Sequence, residues 1–215
     1  AEMIGQNYKN KPCGSFGDIS IFSFYANKHI TTGEGGAIFT NSKIIYEKCK
    51  NLRNLNFGNN NRFNHEELGW NYRFTNMQAA LGLNQLKRIN QIIKKKREIG
   101  NYFYNSLKEN KNIIIQKPSL SYCKNIYWIF GIIIKNSNKK NTQKIQKKLL
   151  SMGIQTRDFF WPMNKQKIYK KMGLFKGQNF PIAEYLANNG FYIPSGLGLK
   201  KTEMVKICKC INKIL

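Results

Sequence analysis

The chain has 215 residues, and 41% of them are hydrophobic, enough for one or two domains with an apolar core. Its formal net charge is +25, from 36 Lys and Arg against 11 Asp and Glu. These charges are spread along the chain and do not form one basic arm, so a general lysine- and asparagine-rich composition is favoured over a site for nucleic acid or an anionic membrane. No apolar run approaches the roughly 20 residues that span a bilayer.

The five cysteines are odd in number and lack the paired spacing of a zinc site. They are Cys13, Cys49, Cys123, Cys208 and Cys210. The Cys208-Lys-Cys210 pair has no second pair to complete a tetrahedral site. We therefore expect no metal, and free thiols in a reducing cytoplasm.

The first third of the chain alternates short strands with a helix. Apolar and small polar residues alternate from Asp18 to Phe24, which is typical of a strand, and the Gly-rich stretch that follows cannot continue it. A second short strand is predicted over Gly36–Thr40. Ser42 is placed to cap an amphipathic helix that runs to about Asn54. The Asn- and Gly-rich residues 56–64 indicate a mobile loop.

The middle of the chain is predicted to be helical. Thr75 precedes a segment with apolar residues at helical spacing, and the pattern resumes through Leu107. The apolar positions are Met77, Ala80, Leu81, Leu83 and Leu86.

From about residue 110 the pattern is that of a compact α/β domain. Its most apolar strand is predicted over Tyr127–Ile134, with Trp128 and Phe130 as core aromatics. A helix over residues 141–152 follows. Thr202 is placed to cap a last helix that ends at about Ile214.

A lone lysine, Lys28, lies on a turn at the end of the first of these strands. The ordinary interpretation is a solvated surface charge. However, loops at strand ends of open α/β sheets are where ligands bind, and an apolar approach favours a neutral, nucleophilic amine. The approach consists of Ile19, Ile21, Phe22, Phe24 and Tyr25. Schiff-base chemistry with pyridoxal phosphate is the commonest use of such a residue.

Four motifs in one order extend this interpretation over nearly the whole chain. They are Ser23-Phe-Tyr-Ala-Asn-Lys28-His-Ile-Thr-Thr-Gly-Glu-Gly-Gly36, Gly69-Trp-Asn-Tyr-Arg-Phe-Thr-Asn-Met-Gln-Ala-Ala80, Phe159-Phe-Trp-Pro-Met163 and Gly190-Phe-Tyr-Ile-Pro-Ser-Gly-Leu-Gly198. Together they resemble the DegT-type sugar aminotransferases, and the C-terminal motifs resemble the perosamine synthase branch most.

The resemblance implies an α/β protein with the aspartate-aminotransferase (type I) fold of pyridoxal-phosphate-dependent transferases. Residues 1–109 would form the C-terminal part of the large cofactor-binding domain, including the long connecting helix. Residues 110–215 would form the small α/β domain. The first residues, Ala1-Glu2-Met3-Ile4-Gly5, resemble the end of a family motif whose aspartate pairs with the cofactor ring nitrogen. We therefore expect a C-terminal part of a longer enzyme, inactive by itself.

The same resemblance implies a set of site residues. Lys28 would hold pyridoxal 5'-phosphate covalently and act as the catalytic amine. Ser23 matches a phosphate-binding serine, with a plain strand hydroxyl as the alternative, and Glu2 matches a position beside the cofactor ring. Asn71 and Arg73 belong to a segment that reaches the neighbouring subunit's cofactor phosphate in a homodimer. The sequence does not choose between these two for that contact.

The implied reaction moves an amino group, with glutamate as the usual donor, to a nucleotide-linked 4-keto-6-deoxy sugar used for surface polysaccharide such as O-antigen. The GDP-linked mannose series is the leading expectation. The family's dehydratases carry histidine in place of the cofactor lysine. Here Lys28 is retained and the histidine is His29, so transamination is favoured. Asn164 stands where the family often has a substrate-facing histidine, so no contact is carried over for it.

Three interpretations stay open at this point. The chain could belong to a sugar aminotransferase, be a non-catalytic remnant of one, or be a basic nucleic-acid-binding module. The third would require retention on nucleic acid that weakens steeply with salt.

Overall fold

The computed structural model of the chain describes residues 1–57, 63–65 and 67–215. The strands are β1 (Asn7–Tyr8), β2 (Lys11–Pro12), β3 (Ile19–Ser23), β4 (Gly36–Thr40), β5 (Ile113–Ile115), β6 (Ser119–Leu120), β7 (Cys123–Lys124), β8 (Phe130–Ile134), β9 (Arg157–Asp158) and β10 (Gly190–Ile193). The α-helices are α1 (Lys43–Arg53), α2 (Asn76–Leu86), α3 (Ile89–Leu107), α4 (Lys139–Ser151), α5 (Lys167–Lys171), α6 (Pro181–Asn189) and α7 (Lys201–Ile214). Most of the loop predicted for residues 56–64 lies outside the described residues.

The chain folds into two units. The first contains Ala1–Lys94 and Ser119–Trp128, and the second contains Lys95–Pro118 and Ile129–Leu215. The change from one to the other therefore falls inside α3, earlier in the chain than the boundary expected after residue 109. The assignment of residues 1–109 and 110–215 to the two domains of the complete enzyme stays a prediction.

In the first unit, β3 and β4 form an antiparallel pair that places Ser23 opposite Gly36. Both strands were predicted. The side chain of Ser42 caps α1 by accepting a hydrogen bond from the backbone N–H of Ile45 at 3.4 Å. Thr75 likewise caps α2, with Gln78 completing a capping box, so both predicted caps are confirmed.

The second unit is built on a four-stranded sheet in the order β5-β8-β10-β9, with every neighbouring pair antiparallel. In β10, three of the four residues are buried, and in β8 four of the five are buried. This burial is expected for strands that are covered on both faces. Phe130 of β8 is fully buried, with its ring 5.2 Å from that of Phe103 on α3. Each such side chain contributes about 1.5–3 kcal/mol through burial. Phe130 is thus the core aromatic that the sequence predicts.

Three expectations about this half of the chain were wrong in detail. The apolar strand begins at Phe130 rather than Tyr127, because Tyr127 has a left-handed backbone (φ 47°) that no strand accommodates and the chain bends at residues 128 and 129. Helix α4 begins at Lys139, since Asn138 accepts a hydrogen bond from the N–H of Asn141 and caps it. Thr202 lies inside α7, which starts one residue earlier.

Within the ranges that the structure describes, no helix has both the length and the apolar character needed to cross a membrane.

Candidate active site

The loop after β3 folds back on itself and presents Lys28. The backbone N–H of Lys28 donates to the carbonyl of Tyr25 at 3.0 Å, which closes a turn. The carbonyl of Phe24 accepts a hydrogen bond from the N–H of Thr32 at 2.9 Å. The N–H of Phe24 donates to the carbonyl of Gly35, also at 2.9 Å. Residues 24–35 are therefore a closed loop with both ends fixed at the last residues of the strand.

Helix α2 fastens this loop through two glutamine side chains. The Gln85 amide accepts from the N–H of Thr31 at 3.1 Å and donates to the carbonyl of Thr31 at 2.6 Å. Gln78, the residue that completes the cap of α2, donates to the carbonyl of Glu34 at 3.1 Å. The residue after Glu34 must be glycine. Gly35 has φ +130°, and a Cβ there would lie 2.4 Å from the ring of Phe74.

The amine of Lys28 lies between a carboxylate and an aromatic ring. It forms an ion pair with the carboxylate of Glu2, and its Nζ lies 3.8 Å from the centroid of the Trp128 ring. Only 11% of the Lys28 side chain is exposed. Carboxylates and indole faces are both partners of a cation.

The surroundings of Lys28 therefore differ from the apolar approach that the sequence predicts. Ile19, Ile21 and Tyr25 are 47%, 61% and 46% exposed. Phe22 and Phe24 of that approach are half-buried. The structure gives Lys28 an ion pair and a cation–π contact.

The segment Asn125–Trp128 holds the Lys28 loop on both sides of the lysine. The indole N–H of Trp128 donates to the carbonyl of Asn27 at 3.0 Å. On the other side, buried His29 contacts the carbonyl of Ile126 through Nε2 at 3.0 Å. A carbonyl only accepts, so Nε2 carries the proton in this contact.

Trp128 is the site residue that sequence reasoning missed, because the apolar run around it predicts a core strand. It is half-buried rather than buried. Asn125, whose side chain accepts from the N–H of Tyr127 at 2.8 Å, is a turn signal that favours a later start of the strand. No local pattern would have placed the ring on Lys28, since Trp128 and Asn27 are 101 residues apart in the sequence.

The other predicted site residues have polar partners near the chain surface. Ser23 accepts a hydrogen bond from the N–H of Tyr25 at 3.3 Å through its hydroxyl. Arg73 donates from Nε to the side-chain oxygen of Asn71 at 2.8 Å, and both side chains are exposed. The structure thus brings Glu2 to Lys28 and pairs Asn71 with Arg73.

The thiols and acidic groups of the described residues do not suggest a metal centre. All five cysteines are free, and burial, followed by the neighbouring Cys123, raises the pKa of the Cys13 thiol above its ordinary value. Residues 1–57, 63–65 and 67–215 contain no cluster of three or more His, Cys, Asp or Glu side chains that could hold a metal ion.

The predicted site residues fit pyridoxal phosphate by their chemistry, although among the residues that the structure describes no contact joins Arg73 to Lys28. The cofactor's aldehyde requires an amine, which Lys28 supplies on a fixed turn. Its phosphate requires hydroxyl, amide or guanidinium donors. A guanidinium has five N–H donors, and the contact of Arg73 with Asn71 uses one of them.

A family model described as the DegT/DnrJ/EryC1/StrS aminotransferase family matches residues 1–212. The chain belongs to this family. It is 36% identical over 216 residues to the GDP-perosamine synthase of Escherichia coli O157:H7, covering 99% of this chain and 56% of that protein. The resemblance inferred from the four motifs is therefore confirmed.

Solved structures of this aminotransferase family confirm the expected fold. Helicobacter pylori PseC, an aminotransferase involved in pseudaminic acid biosynthesis, matches with a TM-score of 0.90 and 27% identity over 100% of this chain and 57% of its own. The E. coli GDP-4-keto-6-deoxy-D-mannose-3-dehydratase with bound hydrated PLP matches with a TM-score of 0.76 and 25% identity. This match covers 98% of this chain and 58% of the dehydratase chain. Pyridoxal phosphate, the cofactor expected from the sequence, is the cofactor of this group of enzymes. The chain spans about half the length of the relatives that it matches.

Proposed function

We propose that the protein is a pyridoxal-phosphate-dependent aminotransferase that converts a nucleotide-linked 4-keto-6-deoxy sugar into the 4-amino sugar. The observation that carries this proposal is the amine of Lys28, held on a closed loop beside the Glu2 carboxylate and the Trp128 ring. The 36% identity to a GDP-perosamine synthase supports the GDP-linked mannose series as substrate and a role in surface polysaccharide biosynthesis. Glutamate is the proposed amino donor.

In this proposal Lys28 has two tasks. It attaches the cofactor through its amine, and when that bond is released the amine carries the proton that leaves the Cα of the amino donor. The cofactor, when bound, supplies the electron sink that stabilises the charge left on that carbon. Glu2 orients the amine by accepting its hydrogen bond, as the ion pair in the structure supports.

The remaining proposed residues bind phosphate. Ser23 offers a hydroxyl at the end of β3, next to the loop that carries Lys28. Asn71 and Arg73 lie just before α2, where N–H donors and the helix dipole also favour an anion. We propose that one or both reach the cofactor phosphate of a second copy, which makes the functional form a homodimer. We also propose the cytoplasm as its location.

Borohydride trapping tests the role of Lys28 directly. The full-length gene product, loaded with pyridoxal phosphate and reduced, should carry one pyridoxyl group on the peptide that contains Lys28. The Lys28→Met variant should carry none, while a variant of an exposed lysine, Lys209→Met, should be labelled like the wild type. A label on any other lysine contradicts the proposal.

Product analysis tests the substrate. Incubation of the full-length protein with glutamate and GDP-4-keto-6-deoxymannose should give a product whose NMR spectrum shows the amino group at C4. The matched control is the UDP-linked 4-keto-6-deoxy sugar, which should react more slowly. Amination at C3 contradicts the proposed regiochemistry, and a faster reaction with the UDP sugar contradicts the proposed nucleotide.

A further inference from the structure

Trp128 is the residue whose geometry goes beyond the proposed reaction. Its ring face lies 3.8 Å from Nζ of Lys28, while its indole N–H donates to the carbonyl of Asn27, the residue before the lysine. One side chain thus contacts both the amine and the backbone from which that amine extends. The ring position relative to the amine is fixed at two points.

The backbone that delivers Trp128 is itself held in a strained form. Tyr127 has φ 47°, and a left-handed conformation at a bulky residue costs about 1–3 kcal/mol. Burial of Ile126 and Tyr127, together with the bond from the N–H of Tyr127 to Asn125, maintains it. Because Tyr127 immediately precedes Trp128, its backbone conformation sets the direction from which the Trp128 side chain extends.

We propose that Trp128 is a positioning residue that, with Glu2, forms the resting place of the Lys28 amine whenever that amine is not bonded to the cofactor. This inference rests on the proposed function of Lys28. A free ammonium between a carboxylate and an indole face has two favourable partners and little freedom to move. The amine consequently stays close to where it must take up and return a proton.

The first test measures how accessible the amine is, without any turnover. The full-length protein, freed of cofactor, is treated with trace acetic anhydride, and the labelling rate of Lys28 is compared by peptide mass spectrometry with that of buried Lys96. Trp128→Leu should raise the Lys28 rate about tenfold, the range of a desolvated cation–π contact. Trp128→Phe, which keeps a ring face, should raise it by less than about threefold on the same basis.

The control is a second cation–π pair elsewhere in the first unit. Nζ of Lys50 lies 5.8 Å from the exposed ring of Tyr46. Tyr46→Leu should leave the Lys28 rate unchanged. If Trp128→Leu raises the rates of Lys28 and Lys96 alike, the ring only stabilises the fold, and the proposal is overturned.

The second test separates positioning from binding in the active protein. Trp128→Leu should lower kcat about tenfold, while KM for the nucleotide sugar stays within about twofold. It should also increase the isotope effect on kcat with Cα-deuterated glutamate, because proton transfer by Lys28 becomes rate-limiting. Trp128→Phe should restore most of kcat. A rise in KM with unchanged kcat overturns the proposal.

The two proposals fail in distinguishable ways. If borohydride places no pyridoxyl group on Lys28 of the wild type, the proposed function fails, while the labelling ratio still reports whether Trp128 protects the amine. If Lys28 is trapped normally and Trp128→Leu behaves like Tyr46→Leu, the function stands and the role of Trp128 is disproved.

Discussion

At the scale of single residues, two sheltered lysines have different partners. Lys28 has a carboxylate and an indole face. Lys96, on α3 in the second unit, is buried and donates to the carbonyl of Ser195 at 2.7 Å and to its hydroxyl at 3.4 Å. Burial of this amine lowers its pKa to about 8. A buried ammonium is costly to the fold, so Lys96 links stability to pH.

The sign of that linkage follows from the direction of the shift. Between pH 8 and pH 10.5, the ordinary value, the unfolded chain holds a proton that the folded chain has released, so stability rises with pH. Below about pH 8 the amine of Lys96 is protonated in the folded chain, so the full cost of burying its charge is present. In urea unfolding of the full-length protein, the free energies of unfolding of the wild type and Lys96→Met are compared at each pH. The difference should shift in favour of the wild type by about 2 kcal/mol as the pH rises from about 7 to about 9.5. Lys209→Met should follow the wild type. Equal pH dependence of the wild type and Lys96→Met contradicts this expectation.

At the scale of elements, the position of Lys28 depends on the contact between α2 and its loop. The Gln85 amide satisfies both the N–H and the carbonyl of Thr31, so one side chain from a capped helix fixes the backbone three residues beyond Lys28. A buried or half-buried backbone group that loses its partner costs about 1–3 kcal/mol. The helix therefore acts on the amine through the loop.

Removing the Gln85 amide should loosen the Lys28 loop. Gln85→Leu is expected to lower the free energy of unfolding by about 1–3 kcal/mol, because the N–H and carbonyl of Thr31 lose their partners. It should also reduce the yield of pyridoxyl label on Lys28. Gln91→Leu, an exposed glutamine on α3, is the matched control and should change neither. Identical behaviour of the two variants would show that α2 does not hold the loop.

The elements also show how far the sequence predicts this molecule. β3, β4, the Ser42 cap and the Thr75 cap are determined by a few neighbouring residues, and the sequence predicts each of them. The partners of Lys28 are not local. Trp128 reaches it through a strained backbone at Tyr127 that buried contacts maintain, and the alternation of apolar residues carries no sign of such a conformation. Glu2 was expected near the cofactor ring only from the family resemblance, and its ion pair with Lys28 is visible only in the structure.

At the scale of the whole molecule, the charge is the unusual feature. The chain has a formal net charge of +25, and its proposed substrate carries a diphosphate. A positive field attracts such a ligand over distances comparable with the Debye length, about 10 Å at 0.1 M salt. We therefore expect the charge to act on encounter with the proposed substrate, and the proposed chemistry to depend on short contacts such as those of Lys28.

Salt should consequently change binding and leave the chemical step alone. For the full-length protein we expect KM for the nucleotide sugar to rise about three- to tenfold between about 20 mM and 300 mM NaCl, as exposed charges are screened, with kcat within about twofold. Glutamate, with a single net negative charge, is the matched control, and its KM should rise less. A salt-independent KM would remove the role given to the net charge.

The same field attracts nucleic acid, but attraction without a dedicated site is weak, so duplex DNA should be released by about 0.2 M salt. Retention on DNA above that salt would instead favour a basic binding module.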